Sequence, residues 1–145
     1  PGGPPVPVPA GWHVELHGWI TNSELMDFYR TNRIDLFVNL STTEGIPVSV
    51  MEAMSFDIPV VATDVGGTSE AVVTGRSGML IGVDEPLDPE TLAKRILAAL
   101  EPGGSLANAT PRLVWEERFD ADANYAEVAA RLSGMPRSTR RMVVR

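Results

Sequence analysis

Four short apolar runs, each followed after a turn by text with helical spacing, constrain this chain more than any other feature. They are Val14-Glu15-Leu16-His17, Ile34 to Leu40, Pro59-Val60-Val61-Ala62-Thr63 and Gly78-Met79-Leu80-Ile81-Gly82. Continuous apolar strands are buried on both faces, and a parallel sheet covered by helices on either side buries them that way. The intervening text supplies the helices. Asn22 or Ser23 is placed to cap one that runs through Tyr29, with Leu25, Phe28 and Tyr29 on one face. Pro47 opens a second that runs to Phe56, since proline suits a first turn. Gly66-Gly67 leads into a short helix near residues 69–73. Pro89 to Leu100 carries Leu92, Ile96, Leu97 and Leu100 at amphipathic spacing. The expected fold class is α/β, a doubly wound parallel sheet with flanking helices.

Both ends differ in character from this middle. Residues 1–11 read PGGPPVPVPAG, too rich in proline for a helix and too poor in donors for a sheet. They are expected to form an extended lead-in or linker, with a ligand for a proline-reading domain as the alternative. One domain is expected over residues 12–135, closed by one or two terminal helices. There Trp115, Phe119, Tyr125, Val128 and Leu132 are expected to pack back onto the sheet. Residues 136–145 hold Arg137, Arg140, Arg141 and Arg145 and no acid, although the chain carries a net charge of −7. A solvated tail is one reading of that segment and contact with anionic lipid the other. The acidic balance argues against nucleic acid as a partner. Zero cysteines exclude disulfides and thiolate metal sites, and suit a reducing cytoplasm. Two histidines, His13 and His17, close together, argue against a histidine metal site. The chain opens on Pro1, with no basic leader ahead of an apolar core, and reads as a piece of something larger.

The chemistry concentrates in Ser41-Thr42-Thr43-Glu44-Gly45-Ile46-Pro47-Val48-Ser49-Val50-Met51-Glu52. Ligands of parallel α/β sheets bind beyond the carboxyl ends of the strands, where Glu44 falls. The amides of Gly45, Ile46 and Val48 stand at the start of the next helix, where free N–H groups and the helix dipole favour phosphate. Gly45 leaves room for close approach, and Glu52, over one turn further on, is placed to accept from a ribose diol. On spacing alone a plainer reading stands beside this one. In it Ser41-x-x-Glu44 is a capping box and Glu52 an exposed helix residue.

The order of motifs along the chain resembles one family. From Val14 to Leu100 the text is similar to the C-terminal, nucleotide-sugar-binding domain of retaining glycosyltransferases of the family-4 type, which have the GT-B fold. The matching residues are Val14-Glu15-Leu16-His17-Gly18-Trp19-Ile20, then Asp35 to Ser41, Glu44-Gly45-Ile46-Pro47 and Glu52-Ala53-Met54. They continue through Ile58 to Gly67, Glu70 and Gly75-x-x-Gly78. Trp115, Phe119 and Asn124-Tyr125 resemble that family's closing helices. The resemblance implies a Rossmann-like sheet, part of the C-terminal half of a GT-B fold. It implies that Glu44 holds donor-sugar hydroxyls near the reacting face and that Glu52 binds ribose. Gly45, Ile46 and Val48 would contact sugar and diphosphate, with Ser41 near the phosphates. Trp19 and Ile20 would lie against the base, although both tryptophans of that region, Trp12 and Trp19, also suit plain packing. No cofactor or metal is implied, only a UDP- or GDP-sugar donor.

The parent would transfer a hexose, with retention, to a glycan or a lipid-linked acceptor in the cytoplasm, at the inner face of the membrane. Two departures stand out. Asp57 occupies the helix end where the family usually has glycine, a left-handed position that aspartate enters at a cost of roughly 1 kcal/mol. The family's Gly-Arg turn and its basic residue, which neutralise the donor diphosphate, have no counterpart before Val14. The chain alone is therefore expected to be inactive, and a truncated remnant that only binds is the alternative reading. Missing upstream strands would also leave a sheet edge open to self-association. Gly66-Gly67 lacks the spacing of a phosphate loop and reads as a turn.

Overall fold

The computed structural model describes residues 11, 13–85 and 88–134. Apart from Gly11, the proline-rich lead-in lies outside them, as does the arginine-rich tail. In chain order the elements are α1 (Asn22–Thr31), β1 (Phe37–Asn39), α2 (Val48–Ser55), β2 (Val60–Thr63), α3 (Thr68–Ala71), β3 (Gly78–Ile81), α4 (Pro89–Leu100), α5 (Pro111–Phe119) and α6 (Ala121–Gly134). The strands form one parallel sheet in the order β1-β2-β3, with Phe37 opposite Val60 and Val60 opposite Gly78. The α/β class expected from the apolar runs is the one observed.

Alternation along β2 sorts the core into two layers. Val60 and Ala62 point to the face covered by α1, α2, α3 and α5, among Tyr29, Val50, Ala53, Met54 and Val114. Val61 points to the other face, with Met79, Ile81, Ala99 and Leu106, under α4. Every residue of β2 is buried, as a central strand between two helical layers requires. Met54 is fully buried and Met51 packs beside that core, the packing role methionines take by default.

Four expectations are corrected. Val14–His17 forms no strand: a strand exists only through a ladder, and this segment pairs with none among the described residues, leaving Leu16 89% exposed. The cap of α1 is Thr21 rather than Asn22 or Ser23. Its side chain accepts from the Glu24 amide while its own N–H donates to the Glu24 carboxylate at 2.7 Å, a complete capping box. Pro47 is the N-cap of α2 and not its first residue. Trp115 and Phe119 do pack on the core, whereas α6 buries none of its residues, so Tyr125, Val128 and Leu132 stay exposed.

The left-handed helix end is where the family resemblance implies it. Asp57 has φ 62°, and the amides of Asp57 and Ile58 donate back to Met54 and Ala53. This pair of bonds is a Schellman motif.

Candidate active site: two carboxylates beyond the sheet

β1 ends at Asn39, and the chain turns through residues 40–47 into α2, so Glu44 lies beyond the carboxyl end of the parallel sheet. It is half-buried. Ser41 and Glu44 do not form a capping box. The Asn39 side chain stands between them instead: the Ser41 N–H and hydroxyl both donate to Asn39 Oδ1, at 3.1 and 2.6 Å. Asn39 Nδ2 then donates to Glu44 Oε1 at 3.0 Å. The Asn39 hydrogen bond first, and the nearby Ser41 hydroxyl second, hold the Glu44 carboxyl below the usual glutamate range. The Ser41 carbonyl accepts from Thr63 Oγ1 at the end of β2, which ties the loop to the sheet.

Glu52 stands one turn into α2 and is half-buried rather than exposed. Asn22, at the start of α1, donates to its Oε1 at 2.5 Å. The buried Tyr29 phenol lies close enough to feel this carboxylate; burial first, and Glu52 second, push its pKa up. Both members of the carboxylate pair are thus engaged on one oxygen by an asparagine carboxamide. Between them, the amides of Gly45, Ile46 and Val48 donate to no protein acceptor among the described residues. Carboxylate oxygens for hydroxyls and open amides for anionic oxygens are the donor and acceptor set a sugar diphosphate needs.

Gly66-Gly67 does more than turn the chain. Gly66, at φ 55°, lies so close to the loop that a Cβ there would sit 1.8 Å from the Glu44 carbonyl oxygen. The Gly67 amide donates to the Gly45 carbonyl at 2.8 Å. The two glycines therefore brace the Glu44-Gly45 backbone from below. Sequence reading missed this, and it missed Asn39 and Asn22. A signal for Asn39 was present, since it is the one amide inside the apolar run Ile34 to Leu40. Trp19 is 88% exposed and Ile20 half-buried, and no hydrogen bond or ring contact ties Trp19 to the carboxylate loop among the described residues. His17 lies edge-on to Phe28 at 5.2 Å.

A parallel α/β unit carries this loop after its first strand, and comparison with known proteins shows which family it belongs to. The family model described as glycosyl transferases group 1 matches residues 8–102, and the chain belongs to that family. It is 41% identical over 66 residues to the lipopolysaccharide core biosynthesis mannosyltransferase LpsB of Rhizobium meliloti, covering 44% of this chain and 18% of that protein. To the putative colanic acid biosynthesis glycosyltransferase WcaL of Salmonella typhimurium it is 47% identical over 87 residues, covering 57% of this chain and 21% of the relative. Among solved structures, Anabaena HepE in complex with UDP superposes with a TM-score of 0.57 at 25% identity, over 70% of this chain and 28% of that one. Its structural neighbours are GT-B glycosyltransferases. The chain spans 18% to 28% of the length of these three proteins.

Proposed function

We propose that this chain forms the donor half-site of a family-4 type retaining glycosyltransferase, which moves a hexose from a nucleoside-diphosphate sugar to a glycan or lipid-linked acceptor. The observation that carries the reading is the loop after β1. There a carboxylate held on one oxygen, Glu44, is followed by three open amides and by a second held carboxylate, Glu52. In this reading Glu44 takes sugar hydroxyls near the reacting carbon. Gly45, Ile46 and Val48 take the sugar and diphosphate oxygens, with Ser41 beside them. Glu52 takes the ribose, and Trp19 and Ile20 flank the base. The binding of UDP by HepE supports a uridine donor. GDP remains the second candidate.

Negative charge builds on the leaving diphosphate as the glycosidic bond breaks, and fixed positive groups stabilise it. The donor loop, residues 40–47, holds no lysine or arginine. The half-site therefore supplies recognition, and the step itself needs cationic groups from outside the loop. Work at the inner face of the membrane fits a lipid-linked acceptor. No helix among the described residues is long and apolar enough to cross a bilayer.

The test is a titration with UDP and with GDP followed by amide NMR, with Glu52→Ala alongside. Shifts at Gly45, Ile46 and Val48 that disappear in the variant, for one nucleotide only, are the expected result. Equal shifts in the variant, or none at millimolar nucleotide, would remove the ribose role of Glu52 or the half-site itself.

A further inference from the structure

We propose that Asn39 is the positioning residue of Glu44: its carboxamide, oriented by Ser41, aims one carboxylate oxygen and leaves the other free for a donor hydroxyl. The proposal rests on the donor-site reading above. A carboxamide has an accepting end and a donating end, and side-chain geometry alone does not say which faces where. Here the neighbours decide. The Ser41 backbone N–H can only donate, and it reaches Asn39 Oδ1 at 3.1 Å while the Ser41 hydroxyl reaches the same oxygen at 2.6 Å. The amide nitrogen must then face Glu44, whose Oε1 it meets at 3.0 Å.

The anchor of this chain of bonds is the sheet. Asn39 is the last residue of β1, in register with Ala62 on the buried central strand. Thr63 Oγ1, one residue further along β2, holds the Ser41 carbonyl. Glu44 itself stands on a loop, and a glutamate there is free to sample several rotamers unless something fixes it. Asn39 transfers the rigidity of the strand to that side chain. It also favours the ionised form, because its N–H bond is made to the carboxylate. An aspartate in its place would have the same shape with acceptors at both ends, and would set two carboxylates against each other.

The experiment follows the Glu44 side-chain carboxyl by carbon-detected NMR across an acid titration of the 145-residue chain. It compares the parent with Asn39→Ala, Asn39→Asp and Ser41→Ala, each first shown to keep a dispersed amide spectrum. In Asn39→Ala the Glu44 midpoint is expected to rise toward that of an ordinary glutamate. In Asn39→Asp the pair is expected to titrate in two steps, the upper one shifted by about a unit or more, a tenfold change in proton affinity. Ser41→Ala, which leaves the Asn39 oxygen one donor, is expected to give a smaller rise. An unchanged Glu44 midpoint in folded Asn39→Ala and Asn39→Asp overturns the proposal.

A second arm separates it from the donor-site reading. UDP-glucose titrations are run on the parent, Glu44→Gln and Asn39→Ala. Weakening of about tenfold in both variants supports the proposal. Loss in Glu44→Gln alone refutes positioning and keeps the donor site. If Glu44→Gln binds as the parent does, the donor-site reading fails, and the carboxyl titration still decides whether Asn39 governs Glu44.

Discussion

Asp57 holds φ 62°, where a side chain is strained and glycine is not. The family resemblance made that strain legible, because the family usually has glycine where Asp57 stands. It did not show the return: Asp57 Oδ1 accepts from the Arg112 amide at 3.0 Å, in the first turn of α5, whose own N-cap Thr110 makes no side-chain bond. The carboxylate caps a helix 55 residues away, and no local pattern encodes such a pair. Asp57→Gly removes strain of about 1 kcal/mol and a cap of similar worth, so its melting temperature should stay close to the parent's. Asp57→Ala keeps the left-handed strain and loses the cap, and should unfold at a free energy about 1–2 kcal/mol lower in urea. An Asp57→Ala chain as stable as the parent would deny the capping role, and equal destabilisation by both variants would deny the strain. Gly66 presents the sharper case. Gly66→Ala would drive a Cβ into the Glu44 carbonyl and put alanine at φ 55°, which should cost about 2–5 kcal/mol and displace the loop around Glu44. Retention of both stability and nucleotide-induced shifts in Gly66→Ala would refute the bracing role.

Elements were legible where local chemistry and burial agree. β2 and β3 lie where the apolar runs place them, and α4 runs over Pro89–Leu100 as its spacing predicts, with Asp88 accepting from the Thr91 amide at 2.8 Å as its cap. Val14–His17 reads as well as the others and is no strand, because pairing is a property of two segments and only one is visible to a pattern. The caps and clamps share a chemistry with a pH signature. Thr21 bonds lower the Glu24 carboxyl, the Thr91 bonds lower Asp88, the Gly82 amide and then Arg95 lower Glu85, and Arg76 lowers Glu117. A carboxylate whose folded-state pKa lies below its unfolded value binds fewer protons folded than unfolded. Its stabilisation is complete above the unfolded value and drains as pH falls through the folded one. Thermal stability should therefore be level near neutrality and fall once pH drops below about 4.5, the ordinary glutamate value, continuing down through the lowered ones. Calorimetry over that range checks it. A melting temperature that rises on acidification would contradict these assignments.

At the scale of the molecule, the two layers of core protect β2 fully and leave β1 and β3 as the edges among the described residues, of which β1 borders the more exposed apolar side chains. Membership of the glycosyl transferases group 1 family was legible from motif order because the loop around Glu44 and the strands beside it are local text. The disposition of α6 was not, since an amphipathic stripe says that a helix wants a partner without saying where the partner lies. Val38 on β1 is 44% exposed, and Leu40 (40%), Ile46 (43%) and Val48 (60%) follow it in the loop and at the start of α2, beside a strand that pairs on one side only among the described residues. Unpaired strand edges of this kind template pairing with another chain, and natural edges blunt that tendency with charge, proline or a bulge. β1 reads Phe37-Val38-Asn39 and carries none of these. The isolated chain should self-associate through β1. Sedimentation equilibrium across a range of concentrations should show its average mass rising, and Val38→Lys, which places a charge on the edge, should lower that rise while leaving the fold intact. A constant monomer mass in the parent would show that the edge is inert. A rise that Val38→Lys leaves unchanged would move the contact elsewhere, and α6, with its exposed Tyr125, Val128 and Leu132, is then the surface to alter next.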